Sequence, residues 1–290
     1  MPDRSDFLVT ASALAAELAG DAAPIVLDIR WRSDHPDGRE AFEAGHIPGA
    51  VYVGLDDVFS EHGHPTDGRH PLPSRERLVE ALSGVTASRD SPIVTLDDSL
   101  SWAACRAWWV LRDAGFRSVR VLDGGLASWN AAGLPIETGS VPVMARRPLE
   151  LGETGILPQL SIDEAAALPH YGLLFDARAP ERYRGEIEPL DPRAGHIPGA
   201  LNLPVSTVFR GDGTFKDADE LSRLFADYGV RQSTRVGVYC GSGVSATPLV
   251  FAMHLAGIEA ALYAGSWSQW SNSELRPIAV GASADGDVQD

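Results

Sequence analysis

The chain has 290 residues, more than one ordinary domain and close to two. Its 44% hydrophobic content, with seven Trp, nine Phe and six Tyr, supplies sizeable cores, while a formal net charge of −16 argues against a general nucleic-acid-binding role. No run approaches the roughly 20 apolar residues of a membrane span, and two cysteines make no disulfide framework, so a protein of the reducing cytoplasm with no membrane partner is expected.

The N-terminal stretch MPDRSDFLVTASALAAELAG lacks a basic leader, and Glu17 interrupts its apolar run. It reads as an amphipathic helix capped by Thr10 or Ser12, not as a signal peptide. Next come IVLDIR (25–30), an apolar run ending in Asp-x-Arg, and AGHIPGA (44–50). The segment SEHGHPTDGRH carries His62 and His64 without a matching cluster at ligand spacing, so a solvated loop is expected there and no metal site. IVTLDD (93–98) predicts a strand, WAACRAWWVLRDAG (102–115) a helix and VRVLDGG (119–125) a strand. Cys105 sits in that helix beside Trp108 and Trp109 and reads as packing. A segment rich in Pro and Gly around 138–160 predicts a linker.

The second half repeats the order. LLFDAR (173–178) is a strand ending in Asp-x-Arg, and AGHIPGA returns unchanged at 194–200. DADELSRLFADYG (217–229) predicts a helix, RVGVYC (235–240) a strand, a helix beginning near Val244 and running to 257, and ALYAG (261–265) a strand. DGGLASW (123–129) pairs with AGSWSQW (264–270). A seven-residue identity at half the chain length is a duplication. Strands alternating with helices predict an α/β fold of two tandem domains, each a mainly parallel sheet flanked by helices. The expected boundaries are 1–140, a linker 141–158, a second domain 159–280 and a small, acidic, mobile tail 281–290.

The chemistry centres on VGVYCGSGVSA (236–246). An apolar strand ends at Cys240, at the carboxyl edge where open α/β sheets bind ligands. Gly241 and Gly243 permit a turn that aims successive N–H groups at one point, and the following helix start adds a positive dipole end; both favour thiolate over thiol. The spacing excludes a dithiol site, because position 243 is Gly, and a phosphatase-type loop, because position 246 is Ala where an arginine would clamp phosphate.

The tandem HIPGA segments, the CGSGVSA loop and the closing GSWSQW together resemble the rhodanese superfamily, most closely its two-domain thiosulfate and 3-mercaptopyruvate sulfurtransferases. The resemblance spans about residues 7–280. It implies two rhodanese-like domains, the first non-catalytic, with Asp97 where the second carries Cys240. It implies a ping-pong reaction without metal or organic cofactor: Cys240 takes a sulfane sulfur from a small anionic donor and hands the persulfide sulfur to cyanide, a thiol or a thioredoxin-like protein. Gly241, Gly243, Val244 and Ser245 line the persulfide and donor site, and Ser242 polarises or protonates the leaving group. His70, in RHPLP (69–73), and Asp56 (with Asp57 as an alternative by one residue) complete a relay from the first domain. Arg182 binds the donor's anionic end.

Enzymes specialised for thiosulfate resemble one another in two basic residues directly after the cysteine; Gly241 and Ser242 are neutral, which favours 3-mercaptopyruvate. A thiosulfate-preferring enzyme is the alternative. A regulatory rhodanese-like module is a further one, opposed by the presence of Cys240. One departure stands out: the arginine usual after an Glu-Pro pair in the mercaptopyruvate group is Leu190 here, with Arg193 as a substitute.

Overall fold

The structure is a computed structural model describing residues 3–86, 88–98, 100–141, 148–152 and 155–289. In the first domain the strands are β1 (Leu8–Val9), β2 (Ile25–Asp28), β3 (Val51–Tyr52), β4 (Ile93–Leu96) and β5 (Val119–Leu122). They form one parallel sheet in the order β1-β5-β4-β2-β3. Helices α1 (Ala11–Leu18), α2 (Arg39–Ala44), α3 (Arg75–Leu82), α4 (Trp102–Asp113) and α5 (Gly125–Ala131) cover it. Both faces are therefore buried: all four residues of β4 are enclosed, and its one polar side chain, Thr95, donates to the Ala104 carbonyl at 3.0 Å. Thr10, and not Ser12, caps α1: its side chain accepts from the Ala13 amide at 3.3 Å.

The second domain has β6 (Leu173–Asp176), β7 (Leu201–Asn202), β8 (Val236–Tyr239) and β9 (Ala260–Leu262), parallel in the order β7-β6-β8-β9. A bridge from Gln159 to Leu262 occupies the edge that β1 holds in the first domain. Its helices are α6 (Ile162–Ala167), α7 (Pro180–Tyr183), α8 (Ala218–Asp227), α9 (Thr247–Leu255) and α10 (Ser266–Ser271). The helix expected to begin near Val244 starts three residues later: Pro248 sits in its first turn, and residues 241–246 stay in a loop. β10 (Ile278–Val280) and β11 (Asp287–Gln289) pair antiparallel, and the Ala284 carbonyl accepts from the Gly199 amide at 2.8 Å. Backbone pairing, to which side-chain composition is a weak guide, holds residues 281–289 against the domain.

The duplicated motifs are structural anchors. Arg30 forks onto Asp28 (2.8 Å from Nη2), and Arg178 onto Asp176 (2.6 Å). Each guanidinium then reaches the carbonyl before its HIPGA histidine, Gly45 at 2.5 Å and Gly195 at 2.6 Å. The histidines are buried and meet the carbonyls of Phe42 and Tyr183 through Nδ1. Buried ion pairs of this kind are tolerated because each remaining N–H finds an acceptor.

The two domains share one core. Ten of the twelve residues of α4 are buried, and a helix apolar nearly all round must be enclosed. It lies against α9, with Trp108 edge-on to Phe251 at 4.7 Å. The Phe215 amide donates to Asp123 at 2.8 Å, and Arg4 reaches the carbonyls of Phe215 and Lys216. Leu149 and Leu151, from the segment between the domains, are buried in the same core.

Candidate active site

Cys240 is the residue after β8, at the carboxyl edge of the sheet, and is almost fully buried. Asp97 follows β4 at the equivalent point. There the carboxylate accepts from the amides of Ser101 and Ala104, each at 3.0 Å, so the first-domain loop is filled by its own side chain.

The Cys240 loop is open by contrast. The Gly243 amide donates to Cys240 Sγ at 3.1 Å. The amides of Gly241, Ser242, Val244, Ser245 and Ala246 donate to no other described residue. A cradle of donors around one sulfur is what an anionic persulfide requires. Gly243 has φ +78°, and a Cβ there would stand 2.3 Å from the Ala264 carbonyl oxygen, so only glycine fits. The start of α10 supports the loop from below. Ser266 Oγ accepts from the Cys240 amide at 3.1 Å, and the amides of Trp267 and Ser268 bond the Cys240 and Gly241 carbonyls at 2.9 and 2.8 Å. This is what the repeated GSWSQW segment does.

Two residues beyond the cysteine, Ser242 Oγ lies 2.7 Å from His70 Nδ1. His70 Nε2 lies 3.4 Å from Asp56 Oδ1, longer than a formed hydrogen bond, and Trp31 Nε1 donates to Asp56 Oδ2 at 3.3 Å. The side chain of Asp57 turns instead toward Gly54. Burial drives the His70 imidazole down to about 3, aided by the nearby charges of Arg106 and Arg69. It is neutral at pH 7. With Nε2–H facing the carboxylate, Nδ1 accepts from the serine hydroxyl, and the row Asp56–His70–Ser242 can pass a proton. Burial also raises the Asp56 carboxyl.

The histidine loop is docked on the second domain: the Arg69 amide donates to Ser268 Oγ at 3.0 Å. Arg106, on α4, locks it in place and was not foreseen in the sequence. Fully buried, it donates to the carbonyls of Phe59 (3.1 Å), His70 (2.8 Å), Pro71 (3.2 Å) and, across the domain boundary, Gly243 (3.2 Å). No carboxylate lies within ion-pair distance of it among the described residues. Burial draws the guanidinium down to about 10, and Cys240 acts in the opposite sense. The signal available was a lone arginine inside an otherwise apolar helix face.

Arg182 lies at the mouth, bonded to Glu188 at 2.6 Å and Asp191 at 3.3 Å. Arg193 does not join it. Its guanidinium is committed to the carbonyls of Trp270, Ser271, Ser273 and Arg276, closing the end of α10. Leu190 is exposed. Val244 is buried, its carbonyl taking Thr247 Oγ1 at 2.7 Å, whereas Ser245 is partly exposed. Cys105 is fully buried in apolar surroundings that push its thiol up, as a packing residue requires.

The sequence pattern of the Rhodanese-like domain matches residues 10–132 and 161–273. A protein of Mycobacterium tuberculosis provisionally named thiosulfate sulfurtransferase SseB is 45% identical, covering 97% of this chain and 99% of its own length. A Pseudomonas aeruginosa protein provisionally named 3-mercaptopyruvate sulfurtransferase is 41% identical, over 94% of this chain and 98% of its own. The crystal structure of SseA from Escherichia coli, described as a 3-mercaptopyruvate sulfotransferase, superposes with a TM-score of 0.78 at 30% identity, covering 90% of this chain and 98% of that one.

Proposed function

The chain belongs to the Rhodanese-like domain family, carries two copies of the domain and is a sulfurtransferase of the thiosulfate and 3-mercaptopyruvate type, and from that premise we propose that Cys240 is the sulfur carrier and 3-mercaptopyruvate its favoured donor. One observation carries the reading: an amide already on Sγ, with free amides around it and the Asp56–His70–Ser242 row beside it.

The Cys240 thiolate attacks the donor's sulfur, an S–S bond forms and the C–S bond breaks, leaving the enolate of pyruvate. The proton of the donor's S–H then moves to the enolate carbon through Ser242 and His70, giving pyruvate and a Cys240 persulfide anion. The loop amides hold that anion. Cyanide then takes the outer sulfur as thiocyanate, or a thiol takes it as its own persulfide, and the thiolate returns. Low-molecular-weight thiols or a thioredoxin-like protein serve as physiological acceptors, in the cytoplasm. No described helix is long and apolar enough to cross a membrane.

Electrostatics favours the monoanion. Glu188 and Asp191 offset the positive charge at the mouth, and the two positions after Cys240 are neutral. A side chain at 241 would crowd two cations, since a Cβ there would lie 3.1 Å from Arg69 Nη2 and 3.2 Å from Arg182 Nη1, and both guanidiniums would have to give by a few tenths of an ångström. With cyanide as acceptor, kcat/KM for 3-mercaptopyruvate is expected to exceed that for thiosulfate by at least about tenfold, ~1.4 kcal/mol of transition-state preference. Equal or better activity with thiosulfate would reverse the assignment.

A further inference from the structure

We propose that the chain binds a small amphipathic anion, a carboxylate, phosphate or sulfonate on an apolar body, at the domain seam and at the edge of the sheets opposite Cys240. Two adjoining cavities carry the inference. One, of about 420 Å³, is walled by Trp108 and Trp109 of α4, Val250 of α9, Ile258 and the segment from Ile156 to Pro158. The other, of about 530 Å³, is lined by Arg89, Arg112 and Arg117 beside Phe116. Ile156 and Leu157 line both and form a common wall. Each volume lies in the range of about 300–1,000 Å³ that holds small molecules. Arg89 precedes β4, Arg117 precedes β5 and Ile258 precedes β9. The cavities therefore sit at the amino-terminal ends of the parallel strands, away from the carboxyl edge that carries Cys240.

The cations are placed to receive a charge. The chain carries a formal net charge of −16, yet three arginines gather at this one cavity. Among the described residues only Arg117 of the three has a carboxylate at ion-pair distance, Asp90 at 3.0 Å. Both side chains of that pair are largely exposed, so it contributes little and opens readily. Arg112 is half-buried: its Nη1 donates to the carbonyls of Phe116 at 3.4 Å and Arg117 at 2.5 Å, while Nε and Nη2 donate to no described residue. The Arg89 guanidinium donates to none either, and Gly152 leaves room for it, since a Cβ there would overlap Nη1. A cation drawn partly out of water without a counter-charge is costly, and an anion set against Arg112 offsets that cost. Glu259 lines the apolar cavity and not the cationic one. On the common wall Ile156 is 55% exposed, and hydrocarbon laid over it adds hydrophobic stabilisation. A bare inorganic anion leaves the apolar cavity wet, and a neutral hydrocarbon leaves the arginines unmet, so the two cavities together fit a ligand that has both parts.

The experiment titrates the full chain with anilinonaphthalene sulfonate and follows its fluorescence, with octanoate, octanol, inorganic phosphate and thiosulfate as competitors. One probe per chain is expected, displaced by octanoate and at least about tenfold less readily by octanol or phosphate. Thiosulfate should not displace it, and Cys240→Ser should bind it unchanged, so the outcome is independent of what Cys240 does. Arg89→Gln, which breaks no described hydrogen bond, should weaken octanoate about tenfold and leave octanol alone. Ile156→Asp, at an exposed position on the common wall, should weaken both anions by at least about thirtyfold. Arg223→Gln removes the same charge from an exposed position on α8 and should leave binding unchanged. Equal weakening in Arg223→Gln and Arg89→Gln would make the effect one of overall charge and overturn the proposal. Octanol competing as well as octanoate would overturn it too, leaving a merely apolar groove. Displacement by thiosulfate, or loss of the probe in Cys240→Ser, would put the probe at the active site instead. Adsorption to anionic vesicles with no displacement by octanoate would replace the small ligand with a membrane surface. Should Ile156→Asp fail to fold, Arg89→Gln decides.

Discussion

Arg106→Met isolates what joins the two halves of the site. Methionine keeps the apolar stem and lacks the guanidinium, so the change removes the donors and leaves the small space they occupied. Four buried carbonyl oxygens, of Phe59, His70, Pro71 and Gly243, lose their donor. Each unmet acceptor costs about 1–3 kcal/mol, but the four belong to one group and relax together, so the net loss is about 3–5 kcal/mol. For a chain of this size that lowers Tm by roughly 10 °C. Two of the carbonyls fix the loop bearing His70 and a third fixes the cysteine loop, so Ser242 and His70 drift apart. Misplacement on the scale of 1 Å costs about 100-fold in turnover. Arg106→Lys keeps the charge but not the fork and falls between the two. Differential scanning calorimetry and cyanide-coupled turnover measure both quantities. A Tm within roughly 2 °C of wild type, with unchanged turnover, would mean that Arg106 does not hold the two loops together.

Gly243→Ala places a methyl against the Ala264 carbonyl at a positive φ, so the loop must shift and the amide leaves Sγ; turnover should fall at least about 30-fold, ~2 kcal/mol, while Gly213→Ala, on an exposed turn, loses only stability. Stability should also depend on pH through His70, His196 and His254, whose imidazoles burial holds below their ordinary range. A depressed folded value means the unfolded chain binds the extra protons. The stabilisation is full above about pH 6.5 and is lost as pH falls below it, at ~1.4 kcal/mol per pH unit for each histidine until that group protonates in the folded chain, near 3 for His70. Urea titrations at pH 7 and 5.5 should show the loss, and His70→Gln should reduce the slope.

The duplication, the parallel sheets and the place of Cys240 were legible because they rest on short-range patterns: apolar runs, a glycine turn and an identical heptapeptide. Asp97 and Cys240 at equivalent strand ends follow from the same register. The row from Asp56 to Ser242 was legible only through family likeness, since residues from two domains carry no mutual spacing. Arg69 and Arg106 escaped for the same reason. Their partners lie across the domain boundary, at Asp191 and at the Gly243 carbonyl, where periodicity says nothing. Arg193 misled because a cation near a missing cation is a good guess by distance along the chain, whereas its guanidinium serves the end of α10. The hairpin of the tail was not legible, because its small acidic composition carries no strand pattern and the pairing is made by the backbone.

Incubating the full chain with donor and no acceptor, then measuring intact and peptide mass, tests directly whether sulfur rides on Cys240. One added sulfur is expected on the peptide containing Cys240, lost on adding cyanide and absent in Cys240→Ser, with nothing on buried Cys105. A protein that turns over both substrates yet never carries the extra sulfur, or carries it on Cys105, would contradict the account.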